Sequence, residues 1–218
     1  MMKHYLYFLV FSSLNGFAQI QVHEEPLHHP VFEKSNTRIL DVIAHPNDTS
    51  LMHQHSNNYC YVTIDGGKIW VQNEGEEGRT LELPLGFTGG YFNNPNHALV
   101  HRFANRSEGL IRLIAVENLS KGNSGTLPYQ PSDEEETLID NSHFLTSKAP
   151  IAGGKQEDFK FSTQAVIVNL SETPLYVEKK RKSSELNKWI WVKAQSTVSI
   201  HNPTSQPIWI VLVQVKKP

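Results

Sequence analysis

The chain predicts an all-β fold, an antiparallel sandwich or barrel, and three observations carry that reading. Short runs rich in β-branched and aromatic residues recur along it, among them RILDVI (38–43), YCYVTI (59–64), LIRLIAV (110–116), QAVIV (164–168) and IWIVLV (208–213). Turn chemistry separates them, as in Asp65-Gly66-Gly67, Gly89-Gly90, Asn93-Asn94-Pro95-Asn96 and Ser205-Gln206-Pro207. No segment of ten or more residues sustains a helical period, and only the acidic stretch 131–140 has room for a helical turn or two.

At the N-terminus, MMKHYLYFLVFSSLNGFAQ has a basic start at Lys3 and His4, an apolar centre from Tyr5 to Phe11 and a small-residue end at Gly16-Phe17-Ala18. That is the layout of a secretory signal peptide, 1–18, cleaved after Ala18, and it predicts an exported protein, periplasmic or secreted. No later run approaches the roughly 20 apolar residues of a helical span, so no membrane anchor is expected after cleavage. Cys60 is the single cysteine among 218 residues, which rules out an internal disulfide and leaves stability to packing. The net charge of −2 carries no nucleic-acid footprint, and the runs Lys179-Lys180-Arg181-Lys182 and Asp133-Glu134-Glu135-Glu136 read as solvated loops.

The stretch LMHQHSNNYCYVTIDGG (51–67) holds the first chemistry. On a strand, alternation puts His53, His55, Asn57 and Tyr59 on one face and turns Gln54 and Cys60 away. Two imidazoles at i and i+2 on a rigid ladder can approach one ion, and imidazole suits Zn, Cu, Fe or Ni. Their bland alternative is a half-buried polar face without metal. A third histidine is available in NPNHALVHRFAN, as His97 or His101.

His53-Gln54-His55, Tyr59 and Gly66 resemble the first motif of the cupin superfamily, in which HxH is followed by three or four residues, an acid, six residues and a glycine. Gly78, Pro84 and Gly86 resemble the opening of the second cupin motif, and His101 and Asn105 its close. The order is kept over 53–105, with two departures: Tyr59 stands where the family has glutamate, and 87–100 is inserted before His101. The resemblance implies a jelly-roll barrel whose mouth holds a divalent transition metal (Fe, Mn, Zn or Ni) on His53, His55 and His101. His97, four residues earlier, then edges the pocket. Tyr59, the candidate catalytic residue, is left three roles: phenolate ligand, hydrogen-bond donor to substrate or oxygen, or aromatic wall. Cys60 points to the opposite face and reads as buried and inert.

Residues 118–158 are poor in strand signals and rich in Ser, Gly, Pro and acids, so they read as a connection between a metal-binding half, 19–117, and a second β half, 159–218. Both halves close on a polar turn before an apolar strand: compare NRSEGLI (105–111) with NPTSQPIW (202–209). A duplicated barrel, a bicupin with a degenerate second half, would give that cadence, because His201 is the only histidine of 159–218. Sequons stand at Asn47, Asn105, Asn118 and Asn169. Two functions follow from the resemblance: an exported metal-dependent enzyme, dioxygenase-like, acting on a small organic substrate, and a non-catalytic cupin binding a small ligand or a protein. A homo-oligomer is compatible with either.

Overall fold

A computed structural model describes residues 19–92, 98–120, 130–179, 182–186 and 188–216. Among these the regular structure is a single 3-10 turn, Val22–Glu24, and nineteen strands. The first ten are β1 (Ile20–Gln21), β2 (His28–Lys34), β3 (Thr37–Ala44), β4 (His53–His55), β5 (Asn58–Asp65), β6 (Gly67–Asn73), β7 (Arg79–Leu83), β8 (Thr88–Tyr91), β9 (Leu99–Asn105) and β10 (Ile111–Asn118). They form two sheets, ordered β1-β4-β9-β6-β7 and β2-β3-β10-β5-β8. The remaining nine are β11 (Glu136–Asp140), β12 (Phe144–Ile151), β13 (Gln156–Phe161), β14 (Gln164–Asn169), β15 (Leu175–Lys179), β16 (Lys182–Leu186), β17 (Trp189–Val192), β18 (Ser196–His201) and β19 (Ile208–Val215). Their sheets run β11-β12-β19-β14-β17 and β13-β18-β15-β16.

These orders are one topology written twice. Raising every label of β2-β3-β10-β5-β8 by nine gives β11-β12-β19-β14-β17, and the same step turns β4-β9-β6-β7 into β13-β18-β15-β16. The turn cadence seen in the sequence has a common cause as well. Asn105, fully buried at the end of β9, donates to the carbonyls of Ala44 and Gly109 and accepts from the Ser107 amide. Asn202, just after β18, donates to Ile151 and Gln206 and accepts from the Thr204 amide. Each asparagine closes its own turn and ties it to a neighbouring strand, the local side-chain bonding for which Asn is suited.

The second unit begins earlier than the sequence suggests. β11 and β12 lie wholly inside the predicted connection 118–158, and β13 crosses its end. The acidic stretch 131–140 contributes a turn and β11, not helix. Both β11 and β13 are edge strands, where one solvated face tolerates the charges of Glu136, Asp140, Glu157 and Asp158 and hides the usual strand signature.

Three apolar clusters hold the molecule together. Leu40, Val42, Ile69, Leu83, Phe103 and Leu113 line the interior of the first barrel, and Phe159, Phe161, Ala165, Leu175, Val198 and Ile210 fill the second. The third cluster joins the units: Cys60, Val62, Ile114 and Val116 of β5 and β10 pack with Val166, Val168, Val211 and Val213 of β14 and β19. The outward faces of two jelly-roll sheets are thereby buried against each other, which removes their apolar side chains from water at about 25 cal/mol per Å². Cys60 sits in that seam, fully buried, on the face away from Tyr59 as strand alternation requires, and burial pushes its thiol far above the ordinary range.

Candidate metal centre

β4 is a three-residue strand between β1 and β9, and its brevity puts both of its histidines inward with only Gln54 turned out. Antiparallel pairing sets His53 directly opposite His101 of β9 and His55 opposite Leu99. Side chains facing each other across a ladder share a face, so three imidazoles from two strands converge. The Nε2 atoms of His53 and His55 are 3.2 Å apart, and those of His55 and His101 are 2.9 Å apart. Nitrogens held 2.0–2.1 Å from one ion lie about 2.9 Å apart at a right angle and about 3.3 Å apart at the tetrahedral angle, so this spacing is that of adjacent ligand positions.

Proton bookkeeping points the same way. His53 Nδ1 lies 2.8 Å from the Leu51 carbonyl, which can only accept, so Nδ1 carries the hydrogen and Nε2 presents a lone pair. His55 Nε2 has a ring nitrogen on each side, yet a neutral ring nitrogen offers either a hydrogen or a lone pair. It cannot donate to one neighbour while accepting from the other. A cation at the shared point takes all three lone pairs, and the donor set therefore fits a divalent transition metal.

Electrostatics keep the imidazoles in the ligating form. Burial, then repulsion from His28, lowers His53 to about 4; burial, then His53 and His28, lowers His101 to about 3. His55 falls well below the ordinary range through burial and the neighbouring rings. Its Nδ1 is buried without a hydrogen-bond partner among the described residues, and its ring is held instead by stacking on Tyr59 at 4.1 Å between centroids.

Tyr59 itself is buried, and burial, aided by Tyr61 and Glu117, drives its hydroxyl above the ordinary tyrosine range. That environment opposes the phenolate and favours the neutral phenol, which leaves the donor and wall roles. His97 lies outside the described residues. The inserted segment 87–100 carries β8, which pairs with β5 and brings Gly90 and Tyr91 to the pocket. The second unit has its equivalent in β17, paired with β14, so the insertion is common to both copies of the fold.

Two residues escaped the sequence reading. His28, first residue of β2, packs edge-on against His53 with ring centroids 4.6 Å apart, and its Nδ1 meets Glu25 Oε2 at 2.5 Å. Ring nitrogens of His28, His53 and His55 all lie within 4.8 Å of one another. The only sequence signal was an acid three residues before a histidine in EEPLHH (24–29), in a segment with no clear periodicity.

His28, His55 and His101 line a cavity of about 270 Å³ between the two sheets of the first barrel, while His53 is fully buried. Its walls are apolar, with Val42, Leu81, Leu83, Phe103 and Leu113, while Asn73 and Arg79 supply polar groups. The second unit shows what the same frame becomes without a site. Phe159 of β13 pairs with Val198 of β18, and Phe161 with Ser196, where the first unit pairs His53 with His101 and His55 with Leu99. The positions of His53, His55 and His101 are thus Phe159, Phe161 and Val198, all in the second core.

No protein-family model and no characterised sequence matches the chain, and its likeness to known proteins is structural. AerE from Microcystis aeruginosa superposes with a TM-score of 0.66 at 12% identity, over 88% of this chain and 99% of that one. A cupin 2 conserved barrel domain protein from Leptotrichia buccalis gives 0.56 at 14%, over 91% and 92% of the two chains. The salicylate 1,2-dioxygenase of Pseudoaminobacter salicylatoxidans gives 0.56 at 11%, over 82% and 71%. Strand order, the duplicated topology and these neighbours agree: the chain has the jelly-roll fold of the cupin superfamily in two copies, and the copy nearer the N-terminus holds the histidine cluster.

Proposed function

We propose that the protein is an exported, metal-dependent cupin enzyme, dioxygenase-like, in which His53, His55 and His101 hold a divalent transition metal, iron, manganese, zinc or nickel, and a small organic substrate occupies the pocket above it. The observation that carries this reading is the convergence of three Nε2 atoms, at 2.9 and 3.2 Å, beside an apolar cavity that His55 and His101 line. A metal bound there supplies Lewis-acid and, for iron or manganese, redox chemistry at the positions the imidazoles leave free. The chain's own groups do the rest. Leu81, Leu83, Phe103 and Leu113 exclude water from the site and embrace the apolar body of a ligand, while Asn73 and Arg79 offer a hydrogen bond and a positive charge to its polar end. Tyr59 holds the plane of His55 by stacking and keeps its phenolic hydrogen.

The replacement of the family's glutamate by Tyr59 favours a second reading, a barrel that binds a small molecule without turning it over. Metal-free protein reconstituted in turn with iron, manganese, zinc and nickel separates the two. Stoichiometric uptake followed by oxygen consumption with small apolar acids supports the enzyme. Uptake with ligand binding but no oxygen consumption supports the binding module, and occupancy near zero for all four metals ends the enzyme reading.

A further inference from the structure

We infer that His28 is a fourth protein ligand to the metal, with Glu25 the carboxylate that positions it; the inference rests on the metal reading above. His28 comes from β2, in the opposite sheet to β4 and β9, so the ion would bridge both sheets of the barrel. Its side chain is 6% exposed, and its Nδ1 points at Glu25 Oε2, so the hydrogen lies on Nδ1 and the lone pair on Nε2.

Glu25 is 2% exposed and is bound on both oxygens. Oε2 accepts from the Leu27 amide and His28, and Oε1 accepts from the Leu51 amide. Burial opposes the carboxylate, yet these bonds and His28 outweigh it and hold its pKa below the ordinary value. Among the described residues its one ion-pair partner is His28. A buried carboxylate fixed by two amides and aimed at one imidazole is the arrangement that orients and strengthens a metal-binding histidine.

Leu51 couples the two histidine supports: its amide donates to Glu25 and its carbonyl accepts from His53 Nδ1. The spacing closes on one ion with little movement. The widest separation allowed by the His28, His53 and His55 nitrogens is 4.8 Å, and opposite ligands on an ion lie about 4.1 Å apart. The carboxylate missing at Tyr59 is thereby supplied one atom shell further out, from the bend between the 3-10 turn and β2.

Pulsed EPR of the Cu²⁺-loaded full chain counts coordinated imidazoles, and competition titration with Zn²⁺ gives affinities. Wild type should show four imidazoles and His28→Ala three, with Zn²⁺ affinity about tenfold or more lower. Glu25→Gln should weaken Zn²⁺ about 10–100-fold, and His29→Ala, at the exposed neighbour, should leave count and affinity unchanged. Three imidazoles in wild type, or affinity unchanged in both Glu25→Gln and His28→Ala, overturns the inference while leaving the three-histidine site intact. Wild type that takes up no metal ends the parent reading and this one together. Should His28→Ala fail to fold, the wild-type count and Glu25→Gln decide.

Discussion

Acid should destabilise the metal-free protein through its buried imidazoles, by an amount that follows from the site. His53 and His101 titrate near 4 and 3 in the folded chain, against 6.5 for an unperturbed histidine. Above pH 6.5 both folded and unfolded states keep these rings neutral, and the cluster makes stability independent of pH. Below 6.5 the unfolded chain takes up protons that the folded chain refuses, so stability falls by about 1.4 kcal/mol per pH unit for each ring. Between pH 6.5 and 5 that is about 2 kcal/mol for His53 and the same for His101, a large part of an ordinary 5–15 kcal/mol. Urea unfolding of metal-stripped wild type and His101→Gln at pH 7 and pH 5 isolates the effect, since surface carboxylates and exposed histidines contribute equally to both proteins. The loss on acidification should be about 2 kcal/mol smaller in His101→Gln. Equal losses in the two proteins would refute the neutral state of the half-buried His101 and the convergence built on it.

Tyr59→Phe keeps the ring stacked on His55 and deletes only the hydroxyl, so metal content measured by elemental analysis should not change; loss of metal would make Tyr59 a ligand after all. Asn105→Ala leaves the carbonyls of Ala44 and Gly109 and the amide of Ser107 without their buried partner, and chemical denaturation should show a loss of about 2–4 kcal/mol. N-terminal sequencing of exported protein should begin at Gln19 or within a few residues of it, and a chain still starting at Met1 or Met2 would remove the leader assignment.

The strands that line or join the barrels were legible because burial on one or both faces writes alternation or continuous apolar runs into them, as in β5, β10, β14 and β19. Edge strands were not: β11 and β13 carry charge on the face that meets water, so their composition is that of a loop. His53, His55 and His101 could be found because two lie on one short strand and the third precedes a buried asparagine at a fixed interval, even across the inserted β8. His28 and Glu25 could not, because their relation to β4 depends on how the opposite sheet folds over it and on the irregular path through Leu51. The sequons were legible as motifs, and the structure gives three of their asparagines another task. Asn105, Asn118 and Asn169 are buried, each accepting from the amide of the Ser two residues on, so in the folded protein these three side chains lock turns.

The filling of the second barrel by Phe159, Phe161 and Val198 bears on how the first can remain hollow. A cavity and a nest of buried imidazoles are liabilities for a fold, and a lone jelly roll carrying them would sit close to its stability threshold. Here the liability is confined to one half of a covalent pair whose other half carries an apolar core at the corresponding positions, joined to it through the aliphatic seam of β5, β10, β14 and β19. The closed copy acts as ballast. Substitutions that loosen Phe159 or Phe161 should therefore weaken a site to which neither residue has any direct chemical connection.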